Sequence, residues 1–212
     1  MNRMTFSVAR RRCVAVVLAC ALCLLGARTQ LVYAADAPTT VVQQTVDAVI
    51  AVLAEKNLSV EQRRHKVEDI VYAHFDFETL SRLVLARNWK DLNPDQQKAF
   101  VEEFKRHLSV TYGKNVENYN NEKAVVIGDR GESRDDWTVK TKVIRPNADA
   151  ILMDYRLRKE GDDWRVIDVT IEGVSLVANF RSQFQEIISR DGVAKLIDLL
   201  REKNAKGESL KS

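Results

Sequence analysis

Apolar residues recur every third or fourth position from about residue 40 to residue 112, and every second position from about residue 122 to residue 171. That change of period predicts helices first and a sheet after them. The first helix covers about residues 40–56, with Val42, Val46, Val49, Ile50 and Leu53 on one stripe. Ser59-Val60-Glu61-Gln62 is a capping-box pattern opening a second helix, in which Val67, Ile70, Val71 and His74 face inward. Asp76 caps a short third helix carrying Phe77, Leu80, Leu83 and Val84. Asn93-Pro94 starts a fourth, because proline suits the first helical position. Phe100, Val101, Phe104, Leu108 and Tyr112 line its buried side, and Gly113 ends it.

Four strands follow, at residues 122–127, 136–145, 149–160 and 164–171. The turns between them fall at Gly128-Asp129-Arg130-Gly131, Pro146-Asn147 and Gly161-Asp162. Connections this short predict an antiparallel meander. Trp137, Val139, Thr141 and Val143 alternate with Thr138, Lys140 and Lys142, and Ile151, Met153, Tyr155 and Leu157 with Asp154, Arg156 and Arg158. One face of the sheet is therefore apolar and the other wet and charged. Residues 164–184 run from a β-branched strand through a hinge at Gly173 to Ser175, placed as a helix cap. Val177, Phe180, Phe184, Ile187 and Ile188 then share a helical face that is expected to fold back over the sheet. The closing helices cover about residues 176–190 and 193–203, split at Asp191-Gly192. The whole reads as an α+β fold, a four-stranded twisted meander with helices over its apolar face.

Charge divides the chain unevenly. The formal net charge is +3, but residues 1–34 hold five arginines (Arg3, Arg10, Arg11, Arg12 and Arg28) and no acid. Without them 28 basic residues face 30 acidic ones, a net charge of −2, and no basic patch remains to argue for nucleic acid. That first segment has the layout of an export signal. Arg10 to Arg12 form the positive region, residues 14–25 are apolar, and Val32-Tyr33-Ala34 offers small residues for cleavage after Ala34. The apolar run is shorter than the ~20 residues a spanning helix needs. An uncleaved anchor, a lipoprotein processed at Cys20 and twin-arginine export are the alternatives. All three cysteines (Cys13, Cys20, Cys23) lie in this segment, so the mature chain would enter an oxidising compartment with neither disulfide nor thiolate chemistry. The expected organisation is a signal peptide at 1–34, one domain at 35–204 and a flexible tail at 205–212.

Catalytic signatures are sparse. His65, His74 and His107 sit on different helices without paired metal-ligand spacing, so no metal is expected. Gly173-Val174-Ser175-Leu176-Val177 lacks the second glycine of a nucleophile elbow. Asp154 lies among arginines on the charged face, which points to ion pairing. Asp168 shares alternation parity with Trp164 and Val166, which would aim it inward at a pocket rim, where it could serve as a general base for a small-molecule enzyme. A binding protein with an apolar cavity is favoured over that enzyme, and over an interaction domain with a solid core.

The run E-G-V-S-L-V-A-N-F-R-S-Q-F at 172–184, preceded by W-R-V-I-D-V, resembles the ending of the MlaC, or toluene-tolerance, family. Trp89, then Asn93-Pro94-Asp95-Gln96-Gln97, Phe100, Phe104 and Tyr112, is similar to the family's middle, and the strand at 149–157 before Trp164 also fits. Members often carry Gly where this chain has Ala86, and Tyr where it has Phe180. The resemblance implies an NTF2/cystatin-like architecture whose N- and C-terminal helices enclose a hydrophobic pocket, without cofactor or catalysis. It implies a monomeric periplasmic carrier of glycerophospholipid. Its partners would be an outer-membrane lipoprotein–porin complex and an inner-membrane ABC transporter with an MCE-type protein. Since each buried methylene is worth about 0.8 kcal/mol, two acyl chains need a continuous apolar slot. The residues expected to line it are Val139, Val143, Ile151, Met153 and Tyr155 from strand parity. Val169, Ile171, Val174, Phe180 and Phe184 are added from the sheet-to-helix junction, and Tyr112 from the helical wall.

Overall fold

The computed structural model describes residues 37–210, apart from the side chains of Asn115 and Glu117. The expected export signal, its expected cleavage after Ala34 and the three cysteines lie outside the described residues. Four helices come first: α1 (Pro38–Ala54), α2 (Val60–His74), α3 (Phe77–Leu85) and α4 (Pro94–Tyr112). They start where the sequence says they should. Ser59 and Asn93 each close a full capping box with the glutamine three residues on, and Asp76 accepts from the Thr79 amide. Each such cap satisfies an amide that the first turn leaves unpaired.

The sheet follows as β1 (Lys123–Gly131), β2 (Asp136–Arg145), β3 (Ala148–Glu160) and β4 (Asp163–Ile171), antiparallel in the order of the chain. A fifth strand, β5 (Val174–Ser175), is added to the four expected. Glu172 and Gly173, at φ 48° and 81°, make the tight turn that folds it back onto β4. The glycines expected to turn the chain after β1 do not. β1 runs on to Gly131, with a bulge between Val126 and Gly128, and the turn comes later at Arg134 and Asp135, both at positive φ. Gly131 is needed for a different reason: a Cβ there would sit 3.1 Å from the Trp137 ring. Gln43 of α1 covers the free edge of β1, accepting from the Val126 amide and donating to the Ala124 carbonyl.

The last helix, α5 (Leu176–Lys206), bends at Gly192 (φ 82°, ψ 167°), the position expected to split it. Its phenylalanines do not roof the sheet as the pattern predicts. Phe180 and Phe184 meet Phe100 and Phe104 of α4, with ring centroids 5.2–5.9 Å apart. The buried core around them, with Leu80, Val84, Leu196 and Leu200, is built from helices alone. A second core lies on the sheet, where Val42 of α1 packs with Val139, Leu157, Val166 and Val169. Where the pattern predicts a flexible tail from Ala205, the helix continues to Lys206, Gly207 caps it in the left-handed region, and Leu210 packs on the helical core.

Candidate functional site

Antiparallel register places directly opposed residues on one face. On the inner face the rows are Trp137–Leu157–Val166, Val139–Tyr155–Val169, Thr141–Met153–Ile171 and Val143–Ile151. Seven of the residues expected to line a slot are thereby brought together: Val139, Val143, Ile151, Met153, Tyr155, Val169 and Ile171. Trp137 and Leu157 join them from the same alternation, and Val166 joins because the parity of β4 reverses at Ile167.

Burial changes along this face. Leu157 and Val139 are fully buried, and Val166 and Val169 nearly so. Beside them Phe75 forms a bridge to Val166, and the Asp76 amide donates to the Val166 carbonyl at 3.0 Å, so the junction of α2 and α3 closes that end. At the other end Val143, Ile151, Met153 and Ile171 keep open surface. The helices above are equally loose. α2 buries none of its residues completely, although Val67, Ile70 and Val71 are all half-buried. Partial exposure of this kind on an apolar face departs from a packed core, which leaves few voids.

Tyr155 makes the point most directly. It lies deep in the protein, where burial pushes its phenol up to about 12, yet it retains accessible surface. Val41, Val46 and Leu176 pack around the same core; of these the helical pattern pointed only to Val46.

Four predicted lining residues lie elsewhere. Phe180 and Phe184 are in the helical core, fully packed by aromatic neighbours, and Tyr112 packs against that same core. Val174 is 58% exposed on the edge strand β5. A helical face says which residues are buried together, but not which neighbour buries them.

The outer face carries Lys140, Lys142, Arg156 and Arg158 beside exposed Val125, Ile144 and Leu152, and a buried charge at the start of β2. Asp136 is 1% exposed; it accepts from Arg158 Nε at 2.6 Å and from a terminal nitrogen of Arg156 at 2.6 Å. Burial pushes its carboxyl up, and the two guanidiniums outweigh that and hold it below the usual range. The arginines expected to pair with Asp154 therefore pair with Asp136.

Asp168 does not face the slot. The register shifts between Arg156 and Leu157, leaving Ile167 as an extra residue in β4, so that Asp168 opposes Arg156 on the outer face. Its two oxygens accept from the Ser175 hydroxyl (2.6 Å) and the Val177 amide (3.1 Å). Ser175 in turn accepts from the Ala178 amide, so both residues anchor the start of α5. Both carboxylate oxygens of Asp168 are engaged in holding the start of α5.

His107 is fully buried between α4 and α5. Its Nε2 accepts from the Leu210 amide, so Nδ1 carries the proton and donates to Asn204 Oδ1 at 3.1 Å. His65 pairs with Glu61 and Glu68 on the surface of α2. Among the described residues no group of three or more His, Cys, Asp or Glu is arranged to hold a metal ion. No helix among the described residues is long and apolar enough to cross a membrane. A surface groove of about 610 Å³ lies between Ala86-Arg87 and the α5 side chains of Ala178, Arg181, Ser182 and Gln185; it contains no residue of the sheet.

The family model described as "MlaC protein" matches residues 43–202. Toluene tolerance protein Ttg2D of Pseudomonas putida is 27% identical over 176 residues, 81% of this chain and 82% of that one. The intermembrane phospholipid transport system binding protein MlaC of Haemophilus influenzae is 22% identical over 177 residues, 80% and 83% of the two chains. Among solved structures, the phospholipid-binding protein from Ralstonia solanacearum in complex with a phospholipid superposes with a TM-score of 0.72. It is 27% identical, over 80% of this chain and 97% of that chain.

Proposed function

Since the chain belongs to the MlaC family, we propose that it is a periplasmic phospholipid carrier holding acyl chains between the inner face of its sheet and helices α1 and α2. The observation that carries this reading is the open surface retained by Tyr155, Met153, Val143 and Ile151 on an apolar face roofed by helices. The lipid in the Ralstonia solanacearum protein, which this fold follows over most of its length, supports it. Acyl chains gain about 0.8 kcal/mol per methylene on leaving water, whereas a phosphodiester must stay wet, so the chains go in and the headgroup stays out.

The protein shuttles this cargo between an outer-membrane lipoprotein–porin complex and an inner-membrane ABC transporter with an MCE-type component. It is exported by the segment at residues 1–34 and cleaved after Ala34. It performs no chemistry on the lipid. With Asp168 bound into the start of α5, no observation favours a general base there.

The test is mass spectrometry on an organic extract of the protein purified from the periplasm, beside its intact mass under native conditions. Stoichiometric phospholipid, with a mass difference that counts the chains, is expected. An empty protein after gentle purification would overturn the carrier reading.

A further inference from the structure

On the inner face, polar side chains beside Tyr155 have spent their hydrogen-bonding capacity on the protein. Thr141 Oγ donates to the Met153 carbonyl at 3.0 Å, and the Trp137 indole donates to Asp129 at 2.7 Å. Tyr155 has not. Its hydroxyl reaches the Met153 thioether sulfur at 4.0 Å, the weakest acceptor a side chain offers, and its neighbours in register are Val139 and Val169. A buried hydroxyl without a good acceptor is costly, and a phenylalanine would fill the same wall without that cost. The hydroxyl therefore has a use that the protein alone does not supply.

Resting on the carrier reading, we propose that the Tyr155 hydroxyl donates a hydrogen bond to an acyl carbonyl oxygen of the bound lipid. The site then distinguishes ester-linked from ether-linked chains. The chemistry of the cargo narrows the choice. A diacyl phospholipid has acceptors of two kinds, phosphodiester oxygens and acyl carbonyls. The first are charged and stay in water, while the carbonyls are neutral and sit at the head of the chains, so they alone can be drawn against an apolar wall. A phenol is protonated at physiological pH, and burial raises this one further, so it stays a donor. Tyr155 thereby fixes where the glycerol end settles, while the open rows of Met153 and Val143 hold hydrocarbon without direction.

The experiment compares a diacyl phosphatidylglycerol with its dialkyl ether analogue of equal chain length, by displacement of a fluorescent phospholipid from the full mature chain. Wild type is expected to bind the diester about three- to ten-fold more tightly, the worth of one neutral hydrogen bond. Tyr155→Phe is expected to bind both lipids at the ether's affinity, with a lipid-free melting temperature at or above that of wild type, since it sheds a poorly satisfied hydroxyl. The infrared band of a ¹³C-labelled ester carbonyl should move to lower frequency on binding wild type, and not on binding Tyr155→Phe. Equal binding of the two lipids by wild type, or a preference and band shift that survive in Tyr155→Phe, would overturn the proposal. Palmitate bound as tightly as the diester and weakened equally by Tyr155→Phe would also overturn it, because the hydroxyl would then read any acyl oxygen. Failure of wild type to bind either phospholipid would instead sink the carrier reading itself.

Discussion

A tryptophan at Val143 tests the slot at the point where it stays open. Val143 lies opposite Ile151, one row from Met153 and Ile171, and all four keep accessible surface. Successive rows along a strand are about 7 Å apart, roughly the length of an indole. An indole in the Val143 row would exclude about four methylenes of cargo, at ~0.8 kcal/mol each, or ~3 kcal/mol. That weakens lipid binding on the order of 100-fold. The fold should tolerate the change, since the new ring enters space already open. Val169, only 4% exposed, is a poorer site: a tryptophan there would overpack the sheet core and cost about 1–3 kcal/mol of stability. Two controls bracket the result. Val174→Trp, on a 58% exposed residue, should bind lipid normally. Phe184→Ala should cost about 3–5 kcal/mol in stability, as expected of an aromatic core residue, while the protein that remains folded still binds. Binding is read by displacement of a fluorescent phospholipid and folding by urea titration. A folded Val143→Trp protein with wild-type affinity would refute the placement of the slot.

Three further outcomes follow from other parts of the structure. Ala86 sits at φ 50°, ψ −121°, a conformation costing a non-glycine residue about 1–3 kcal/mol, so Ala86→Gly should raise stability by roughly 1 kcal/mol in a urea titration. Asp168→Asn removes a charge from the start of α5 and one acceptor for two donors; it should cost about 1–2 kcal/mol in a thermal melt and leave lipid binding unchanged. His107 is held neutral by burial, which lowers its pKa below the ordinary 6.5 despite the raising influence of Asn204. Below that value the unfolded chain binds more protons than the folded one, so stability is full above pH ~6.5 and declines as the pH falls toward the folded value. His74, lowered by burial and by Arg165, acts in the same sense. Urea midpoints between pH 8 and 5 should fall accordingly, and the slope should flatten in His107→Gln.

Local signals carried the elements well. The caps at Ser59, Asp76 and Asn93 depend on a side chain reaching an amide three residues away, which a few residues of sequence specify completely. The bend at Gly192 is local in the same way, a φ of 82° that glycine alone accepts readily. The β1–β2 turn was not legible, because Gly128 and Gly131 look like turn residues. One serves a bulge, and the other leaves room for the Trp137 ring arriving from the next strand.

Of the site, the sequence by itself determined which residues of β2 and β3 share a face, since alternation is a property of one strand and survives any packing. It also determined that this face is apolar. Only the tertiary structure decided the rest. The extra residue at Ile167 reverses parity within β4 and sends Asp168 to the outer face, and a bulge is defined only against a partner strand. The phenylalanines of α5 found Phe100 and Phe104 and left the sheet to α1, with Phe75 and Leu176 beside it. Which apolar surface covers which is settled by non-directional burial among distant segments, and no local pattern encodes that choice.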